Sequence, residues 1–300
     1  MARNFDIKQH VTDTIIAQIE AGTPPWRKPW TGDPSGASFP LRHNGETYNG
    51  INILMLWATA HQRGYSSARW MTFKQAVELD GSVRKGEKAA KSVFYGAIER
   101  EDEEAEDGEE GKRRIRFARV NNVFNVDQID GLPEEYYIRP EPPRDLGTQA
   151  DPELEIFFAR TGAEIITSEE PRAYYHPVKD HIHMPPIASF FNATGYYGTL
   201  AHELVHYVCG STRLATQKAH ASRMEYAFDE LVDEIGACFL AVQLGVEPQF
   251  DQSAAYVEGW LRAMKSDREM IFKAAAEAQK AVDFINQTVG ERDRSGQDAA

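Results

Sequence analysis

The sequence predicts a mixed α+β protein of two domains. Segments with helical apolar spacing occur together with short alternating strands in both halves of the chain. A length of 300 residues corresponds to about two domains, and the chain is interrupted near its middle by the Pro-rich stretch 139–147. We therefore predict an N-terminal domain over 1–138, a linker over 139–152, a C-terminal domain over 153–288 and a disordered tail over 289–300.

The composition is that of a soluble protein with a sizeable core. Hydrophobic residues make up 42% of the chain and charged residues 26%. The two cysteines have no regular spacing, which argues against a disulfide scaffold and fits a reducing cytoplasm. No apolar signal segment begins the chain, and no run approaches the roughly 18 apolar residues of a membrane span. We expect a cytoplasmic protein with no membrane partner.

The strongest candidate site lies in residues 199–209, which predict a half-buried helix ended by Gly210 and contain the pattern His-Glu-x-x-His. His202 and His206 are four residues apart and share a helix face, so both imidazoles can bind one metal ion. A zinc ion with two histidines and one further ligand has an open position for water and lowers that water's pKa to about 7. Glu203 is placed to take the proton as attack on a carbonyl begins. The pattern predicts a metallopeptidase site.

A third ligand should come from a later helix, predicted over residues 226–244 from its apolar spacing. Asp229, Glu230, Asp233 and Glu234 crowd four carboxylates into one stretch of this helix. Glu230 is the preferred ligand, because Glu234 would then share its face and could hydrogen-bond a ligating histidine. Glu234 as the direct ligand is the alternative, and Asp233 is a weaker one. The expected metal is Zn²⁺, and such a site also admits other divalent ions such as Mn²⁺.

Upstream of this helix, residues 180–184 alternate polar and apolar side chains and predict a strand that ends at a proline. Zinc peptidases with this motif usually have an edge strand beside the active-site helix, where an extended peptide can add by strand pairing. His176, His181 and His183 are interpreted as strand residues outside the metal's ligand set. Cys209 is interpreted as a buried core residue.

The rest of the C-terminal half predicts further regular elements. Asp151 to Thr161 is expected to open it as a helix, and residues 164–167 to form a strand. A helical period returns over residues 253–288. These elements complete a mixed α+β pattern without an internal repeat.

The net charge of −13 is unevenly distributed along the chain. Residues 99–110 hold nine acids and one base, a composition typical of solvated segments. The remainder of residues 1–138 has a net charge of +5, whereas residues 139–300 have a net charge of −10. A mildly basic N-terminal half joined to an acidic C-terminal half indicates two different functions.

Several patterns organise the N-terminal half. Residues 6–21 predict an amphipathic helix, and a second apolar helix is expected to begin near Tyr48. The Gly-punctuated basic turn at 81–88 can offer backbone N–H groups and cations to phosphate. Strands at 91–98 and 114–126 flank the acidic segment, which predicts a long hairpin.

Aromatic and cationic side chains are interleaved between Trp26 and Lys88. Bases stack on aromatic faces while cations hold phosphates, and no helix-turn-helix or zinc-finger spacing is visible. Single-stranded nucleic acid therefore fits better than duplex. For the tryptophans of the Pro-rich segment, burial beneath the domain is an equal alternative. The candidate nucleic-acid-binding residues are Trp26, Arg27, Lys28, Trp30, Tyr48, Trp70, Phe73, Lys74, Arg84, Lys85 and Lys88.

Taken together, these motifs resemble those of the ArdC-type plasmid antirestriction proteins, which are related to the N-terminal parts of TraC-type conjugative primases. The resemblance covers nearly the whole chain. In the N-terminal half it rests on Pro25-Trp26-x-x-Pro29-Trp30, Tyr48-Asn49-Gly50-Ile51-Asn52, Trp70-x-Thr72-x-Lys74-Gln75-Ala76, Val83-Arg84-Lys85-Gly86-Glu87-Lys88 and Val123-Phe124-Asn125-Val126-x-Gln128-Ile129. In the C-terminal half it rests on Asp180-x-Ile182-x-Met184-Pro185, Thr199-Leu200-x-His202-Glu203-Leu204-x-His206 and Glu230-Leu231-Val232-x-Glu234-Ile235.

The resemblance implies an N-terminal domain that binds single-stranded DNA and a C-terminal zincin-like metallopeptidase domain. It also implies a role in protecting plasmid DNA from host restriction as the plasmid enters a new cell by conjugation. The related zincin pattern Glu-x-x-Ala-Asp supplies its ligand at the first acid, which corresponds to Glu230, and its aspartate corresponds to Glu234. The alanine of that pattern is replaced by Asp233 here, a departure that bears on the choice of ligand.

Three hypotheses follow for the biochemical activity. In the first, the chain is a zinc-dependent peptidase tethered to single-stranded DNA. In the second, it protects DNA by coating it or by occupying the host restriction enzyme, and the metal site is structural or vestigial. In the third, the net negative charge makes it an acidic DNA mimic that binds restriction enzymes directly, which requires residues 99–110. We rank them in this order for the biochemical activity, and the first two equally for the biological effect.

Overall fold

The structure is a computed structural model that describes residues 6–26, 38–101, 112–139, 145–210, 212–217, 222–246 and 254–297. In the N-terminal half its helices and strands are α1 (Ile7–Glu20), α2 (Ile51–Arg63), β1 (Trp70–Met71), α3 (Phe73–Glu78), β2 (Ser82–Val83), β3 (Ala90–Glu101), β4 (Lys112–Asn125) and β5 (Ile129–Asp130). In the C-terminal half they are α4 (Pro152–Thr161), β6 (Glu164–Thr167), β7 (Tyr174–His176), β8 (His181–Met184), α5 (Ala193–Cys209), α6 (Arg223–Leu244), α7 (Ala254–Ser266) and α8 (Met270–Gln297). The mixed α+β class is confirmed.

Three small sheets are present in the described residues. In the N-terminal half, β4 lies between β1 and β3, and β2 pairs with β5; all these pairs are antiparallel. The pairing of β3 with β4 confirms the long hairpin, and it extends from Ala90↔Val123 to Glu101↔Lys112. In the C-terminal half, β8 is parallel to β6 and antiparallel to β7.

The strand at 180–184 forms as predicted, over His181–Met184, but it is not an edge strand. It lies in the centre of its sheet, where its four residues are buried, and β7 occupies the edge. Both β7 and β8 contact helix α5. The sheet has two edge strands, β6 and β7, and of these β7 has the larger contact with α5. Alternation of side chains predicted the strand, but it contains no information on which neighbours pair with it.

Helix α5 begins six residues before the predicted start at Thr199. The side chain of Asn192 caps it by accepting the N–H of Gly195 at 2.8 Å. The helix ends at Cys209 with Gly210 as its C-cap, as predicted. Helix α6 begins with a capping box in which Ser222 and Glu225 satisfy each other's backbone N–H groups. These caps define where α5 begins and ends and where α6 begins, and the two helices together form the candidate site.

The helical pattern over 253–288 is divided into α7 and α8, and α8 continues to Gln297. The prediction of a disordered tail from residue 289 is therefore wrong for residues 289–297. Arg160 on α4 contacts Asp293 at 2.5 Å, and the guanidinium of Arg292 packs so closely on Gly162 that a Cβ there would collide with it. These contacts with α4 and Gly162 stabilise the last turns of α8, whose sequence is polar and has no apolar stripe.

One hydrophobic cluster extends through both halves of the molecule. It joins buried residues of α1 and α2 to those of α5, α6, α7 and α8. A second, smaller cluster lies around β5 in the N-terminal half. In the described parts of the chain, no helix is long and apolar enough to cross a membrane.

Candidate metal centre

The imidazole rings of His202 and His206 lie on one face of helix α5 and converge. The apolar row beside them, formed by Leu200, Leu204 and Val208, is buried in the core and sets the rotation of the helix. The two imidazole Nε2 atoms then lie 3.1 Å apart. Their convergence fits two histidines that bind one ion through Nε2.

Helix α6 supplies the carboxylate that completes the cluster. One ligand atom from each of His202, His206 and Glu230 lies within 4.8 Å of the other two. The two helices approach closely because α6 has Gly236 where it crosses α5; a Cβ there would be 2.9 Å from Cγ1 of Val205. Two imidazole nitrogens and one carboxylate oxygen form a donor set that suits a divalent metal ion.

Two further carboxylates of α6 approach the other ring nitrogens of the histidines, the Nδ1 atoms. Oδ2 of Asp233 accepts a hydrogen bond from Nδ1 of His206 at 2.9 Å and another from Nε2 of Gln217 at 2.5 Å. Oε2 of Glu234 lies 3.8 Å from Nδ1 of His202. Both side chains are buried behind the imidazoles, so the geometry favours Glu230 over either of them as the ligand.

Asp233 is the residue whose role the sequence pattern did not indicate. The sequence offers it only as a weaker alternative ligand and predicts that Glu234 holds a histidine. In the structure Asp233 makes the closer contact with a histidine, and it is completely buried. Its place in the pattern, where related zincins have alanine, therefore has a physical explanation: the chain supplies a carboxylate partner for His206 at this position.

The charges in the cluster are strongly coupled. Burial lowers the pKa of His206, but the charge and hydrogen bond of Asp233 outweigh burial and raise it above its usual value. Burial, and then the charge on His206, lower the pKa of His202. Of the two imidazoles, we therefore assign the positive charge to His206. Its Nε2 proton then points to Nε2 of His202, at the place where a metal would bind.

Glu203 is buried beside this cluster. Its carboxylate accepts a hydrogen bond from the backbone N–H of Tyr175, which belongs to the edge strand β7. Burial raises the pKa of Glu203 in spite of that hydrogen bond and the nearby charge of His206. A carboxylate with a raised pKa beside a metal site has the properties of a general base.

The histidines of the sheet have other contacts. His183 hydrogen-bonds the hydroxyl of Ser168 at 2.7 Å and the carbonyl of Arg172 at 2.8 Å, and its ring stacks on Tyr174. In the part of the chain that the structure describes, the metal-compatible cluster contains His202, His206 and Glu230 alone. Cys209 is buried, as predicted, and burial raises the pKa of its thiol.

The candidate nucleic-acid residues divide into three groups. Trp26, Tyr48 and Trp70 have 0, 6 and 1% of their surface exposed, so their rings present no face for a base, and the interpretation of these three as stacking residues is corrected. For Trp26 the equal alternative, burial beneath the domain, is the one that the structure has. Trp26 packs between α6 and α7: its carbonyl accepts a hydrogen bond from Cys238, and its ring contacts Trp260 edge-on at 6.0 Å. Arg27, Lys28 and Trp30 lie outside the described residues.

The third group reaches the surface. Phe73, Lys74, Lys85 and Lys88 are exposed. Arg84 is exposed as well, but its guanidinium is paired with Asp130 and Glu87, both at 3.2 Å. These two carboxylates offset its charge, so it is a weaker candidate for a phosphate contact than Lys85 and Lys88. Lys74 has one such carboxylate neighbour, Glu78, at 3.5 Å.

Comparison with known proteins assigns a different family to each half of the chain. Residues 5–124 match the family described as the N-terminal domain of anti-restriction factor ArdC. Residues 152–277 match a zincin-like metallopeptidase family. The chain is 36% identical over 292 residues to the DNA primase TraC of Escherichia coli, covering 92% of this chain and 27% of that protein. It thus spans about a quarter of the primase.

Other relatives match over nearly their whole length. An uncharacterized protein of Sinorhizobium fredii, y4eC, is 36% identical over 288 residues, with 94% of this chain and 92% of that protein covered. The metal-free crystal structure of the antirestriction protein ArdC from plasmid R388 is 56% identical, with a TM-score of 0.85 over 96% of this chain and 99% of that one. Its Mn(II)-bound structure is 55% identical, with a TM-score of 0.82 over 95% and 98%. The resemblance seen in the motifs is confirmed: the chain belongs to the ArdC family of antirestriction proteins, with a zincin-like metallopeptidase domain that contains a divalent-metal site.

Proposed function

We propose that this antirestriction protein is a metal-dependent peptidase that also binds single-stranded DNA and protects incoming plasmid DNA from host restriction during conjugation. The observation that carries the proposal is the convergence of three ligand atoms, from His202, His206 and Glu230, within 4.8 Å of one another. Glu203 lies next to the first ligand in the chain and is buried beside the cluster.

Zn²⁺ is the expected ion, because three protein ligands of this type leave one position open, as in catalytic zinc sites. Mn²⁺ is the alternative, and the Mn(II)-bound structure of the R388 protein supports it. A divalent ion at this position polarises a carbonyl and makes water more acidic. Its ligands are kept in place by Asp233 behind His206 and by Glu234 behind His202.

The chain's own residues supply the remaining parts of the reaction. Glu203 takes the proton from the attacking water, and its raised pKa makes it a stronger base than an exposed carboxylate. A substrate in an extended conformation can pair with the outer edge of β7, whose Tyr175 N–H already contacts Glu203. This arrangement would place a peptide bond beside both the general base and the metal ligands.

Binding of single-stranded DNA is proposed for the N-terminal half. The exposed Phe73, Lys85 and Lys88 support it, because aromatic faces and accessible cations are the features that bind unpaired nucleotides. Lys74 is exposed as well, but Oε1 of Glu78 lies 3.5 Å from its Nζ. The burial of three predicted aromatic residues reduces the number of candidates. The interface must therefore use other exposed rings as well.

The test compares metal content, proteolysis and DNA binding in the same preparations. In the wild type we expect one equivalent of metal and cleavage of an unfolded substrate such as casein. Glu203→Gln should retain the metal and lose cleavage, whereas His202→Ala should lose both. Cleavage by Glu203→Gln at the wild-type rate would contradict the assigned general base.

A Glu230→Ala variant tests the third ligand separately. Loss of the metal with unchanged binding of oligothymidylate would establish two independent sites. Retention of the metal would instead assign the ligand to Glu234 or Asp233.

The competing function is protection by DNA binding without proteolysis. Conjugative transfer into a restricting host separates the two, because Glu203→Gln is expected to keep the metal site intact. Full protection by this variant would show that proteolysis is dispensable, and loss of protection would support the peptidase.

A further inference from the structure

The β3–β4 hairpin has two phenylalanine rings on its surface. Phe94 is 49% and Phe117 38% exposed, and their ring centroids are 6.1 Å apart at an angle of 53°. We call these two residues the hairpin aromatic pair. Neither belongs to the two hydrophobic clusters of the fold. Neighbouring exposed apolar rings form a patch of the kind that can mark an interaction site.

The pair occupies a defined position because of Gly96. This glycine pairs with Phe117 across the hairpin, and a Cβ added to it would lie 2.4 Å from Cζ of Phe117 and 2.9 Å from Cε1 of Phe94. Both rings therefore pack on the backbone of Gly96, in space that the side chain of any other residue would occupy. The rings are held against the strand while an appreciable part of each stays exposed to solvent.

An arginine lies beside the pair. Arg119 pairs directly with Phe94 in the strand register, and it has no ion-pair partner among the residues that the structure describes. Farther along the hairpin, bases and acids face each other in the register, with Glu99 opposite Arg114 and Glu101 opposite Lys112, so Arg119 is the cation that this argument uses. Positive charge beside exposed aromatic faces favours a polyanion with stackable rings over an apolar peptide.

We propose that the hairpin aromatic pair and Arg119 form a platform on which single-stranded DNA binds, its bases stacking on the rings and a phosphate contacting the guanidinium. This inference rests on the proposed DNA-binding function and assigns residues to it. In this proposal Phe94 and Phe117 supply the aromatic faces that the buried Trp26, Tyr48 and Trp70 cannot offer.

The experiment measures binding of labelled oligothymidylate to the full chain by fluorescence anisotropy at several salt concentrations. Phe94→Ala and Phe117→Ala should each weaken binding by about tenfold to a hundredfold. Arg119→Ala should lower the slope of log affinity against log salt by about one. Phe191→Ala, which removes an exposed phenylalanine from the loop before α5, is the matched control and should bind normally.

Thermal unfolding of each variant confirms that the fold is retained. Normal DNA binding by both phenylalanine variants would overturn the platform and indicate that the rings only cover Gly96 or contact a protein partner. Absence of DNA binding by the wild type would instead overturn the proposed DNA-binding function itself.

A separate set of contacts concerns the third metal ligand. Tyr226 lies one turn before Glu230 on α6, and its hydroxyl hydrogen-bonds both the Glu230 carboxylate and, at 3.0 Å, the hydroxyl of Tyr256 on α7. An ionised carboxylate only accepts hydrogen bonds. Tyr226 must therefore donate to Glu230 and accept from Tyr256, which gives the chain of hydroxyls a single direction.

The far end of this chain is fixed by packing. The ring of Tyr256 stacks on Trp260, with centroids 6.4 Å apart at 18°, and Trp260 is buried edge-on against Trp26. The hydroxyl of Tyr256 is thus held by aromatic contacts that extend into the N-terminal half.

We infer that Tyr226 and Tyr256 are positioning residues that fix the orientation of the Glu230 carboxylate for the metal. The inference rests on the proposed metal site. Histidine ligands commonly have a carboxylate partner that orients them, and here a carboxylate ligand has a hydroxyl pair in that role.

The probe is Mn²⁺ added to metal-free protein and measured by electron paramagnetic resonance. Tyr226→Phe should bind Mn²⁺ about tenfold to a hundredfold more weakly and alter the spectrum of the bound ion. Tyr256→Phe should have a smaller effect, and none once Tyr226 is already replaced. Tyr174→Phe, which removes a tyrosine–carboxylate bond to Glu170 in the sheet, is the matched control.

Wild-type affinity in Tyr226→Phe, together with loss of Mn²⁺ binding in His202→Ala, would overturn the positioning role alone. If the wild type itself bound no Mn²⁺, the proposed metal site would fail.

Discussion

Asp233 determines how His206 is held, and its removal should weaken metal binding. In Asp233→Asn the amide can present its oxygen to Nδ1 of His206 but has no charge to stabilise the histidine, so we expect about tenfold to a hundredfold lower metal affinity. Isothermal titration with Mn²⁺ measures this. Asp283→Asn, at an exposed position of α8, is the control for the substitution itself. Equal affinity in both variants would contradict the role of Asp233.

Proton release is a second consequence at the scale of single residues. The pKa of His206 is raised, so the metal-free protein retains its proton at pH 7, and a metal must displace that proton to bind. Affinity should therefore rise with pH, by about tenfold per unit while the pH remains below that pKa. Titrations in buffers of different ionisation enthalpy should detect about one proton released. Affinity independent of pH between 6 and 8 would rule out this protonation state.

The residues of the site differ in how far the sequence could predict them. His202, Glu203 and His206 are local in sequence, so the helical repeat alone places the two imidazoles on one face. The role of Asp233 depends on how α6 is rotated against α5, which no local pattern contains. The burial of Trp26 depends on α6 and α7, more than 200 residues further along the chain. Exposure of an aromatic residue is thus a property of the whole fold.

At the scale of elements, the crossing of α5 and α6 determines the distance between the histidines and Glu230. Gly236→Ala adds a methyl group 2.9 Å from Cγ1 of Val205, which is itself buried, so the helices must move apart. We expect this variant to be destabilised by about 1–3 kcal/mol, in spite of alanine's better helix propensity. Chemical denaturation measures the change, and metal affinity should fall with it.

Gly290→Ala provides the control for the same substitution within a helix. Position 290 lies in α8 with no atom within 4 Å of the added Cβ. Alanine there should stabilise the protein by up to about 1 kcal/mol, because the helix gains propensity without a collision. A loss of stability at position 290 equal to that at position 236 would show that the cost at Gly236 does not come from the helix crossing.

The sequence predicts an element well where the spacing of its own apolar residues determines it. It predicts poorly those features that depend on contacts with other segments. The apolar period predicted α1 and α6 to within a few residues, and alternation predicted the β3–β4 hairpin. The early start of α5 depends on the cap from Asn192, and the central place of β8 depends on β6 and β7. Capping and strand order are contacts between segments, which periodicity does not describe.

At the scale of the molecule, the two halves share a core, and this bears on the predicted linker. Trp57 of α2 packs on Phe239 of α6 at 6.0 Å, and Trp26 packs on Trp260 of α7. The N–H of Gly50, which caps α2, donates to the side chain of Gln279 on α8. The halves are therefore distinct in sequence family but continuous in packing.

This continuity predicts that residues 1–138 alone will not form the native structure. Without α6, α7 and α8, the rings of Trp26 and Trp57 would face water, and burial of each such side chain contributes roughly 1.5–3 kcal/mol or more, which is large beside a typical domain stability. We expect the fragment to have a weak near-ultraviolet circular dichroism signal, to bind a hydrophobic dye and to melt without cooperativity. Mixing it with residues 139–300 should restore part of the native signal if the second fragment retains its helices. A cooperative melt of 1–138 at the temperature of the full chain would mean that the shared core is not needed for either half to fold.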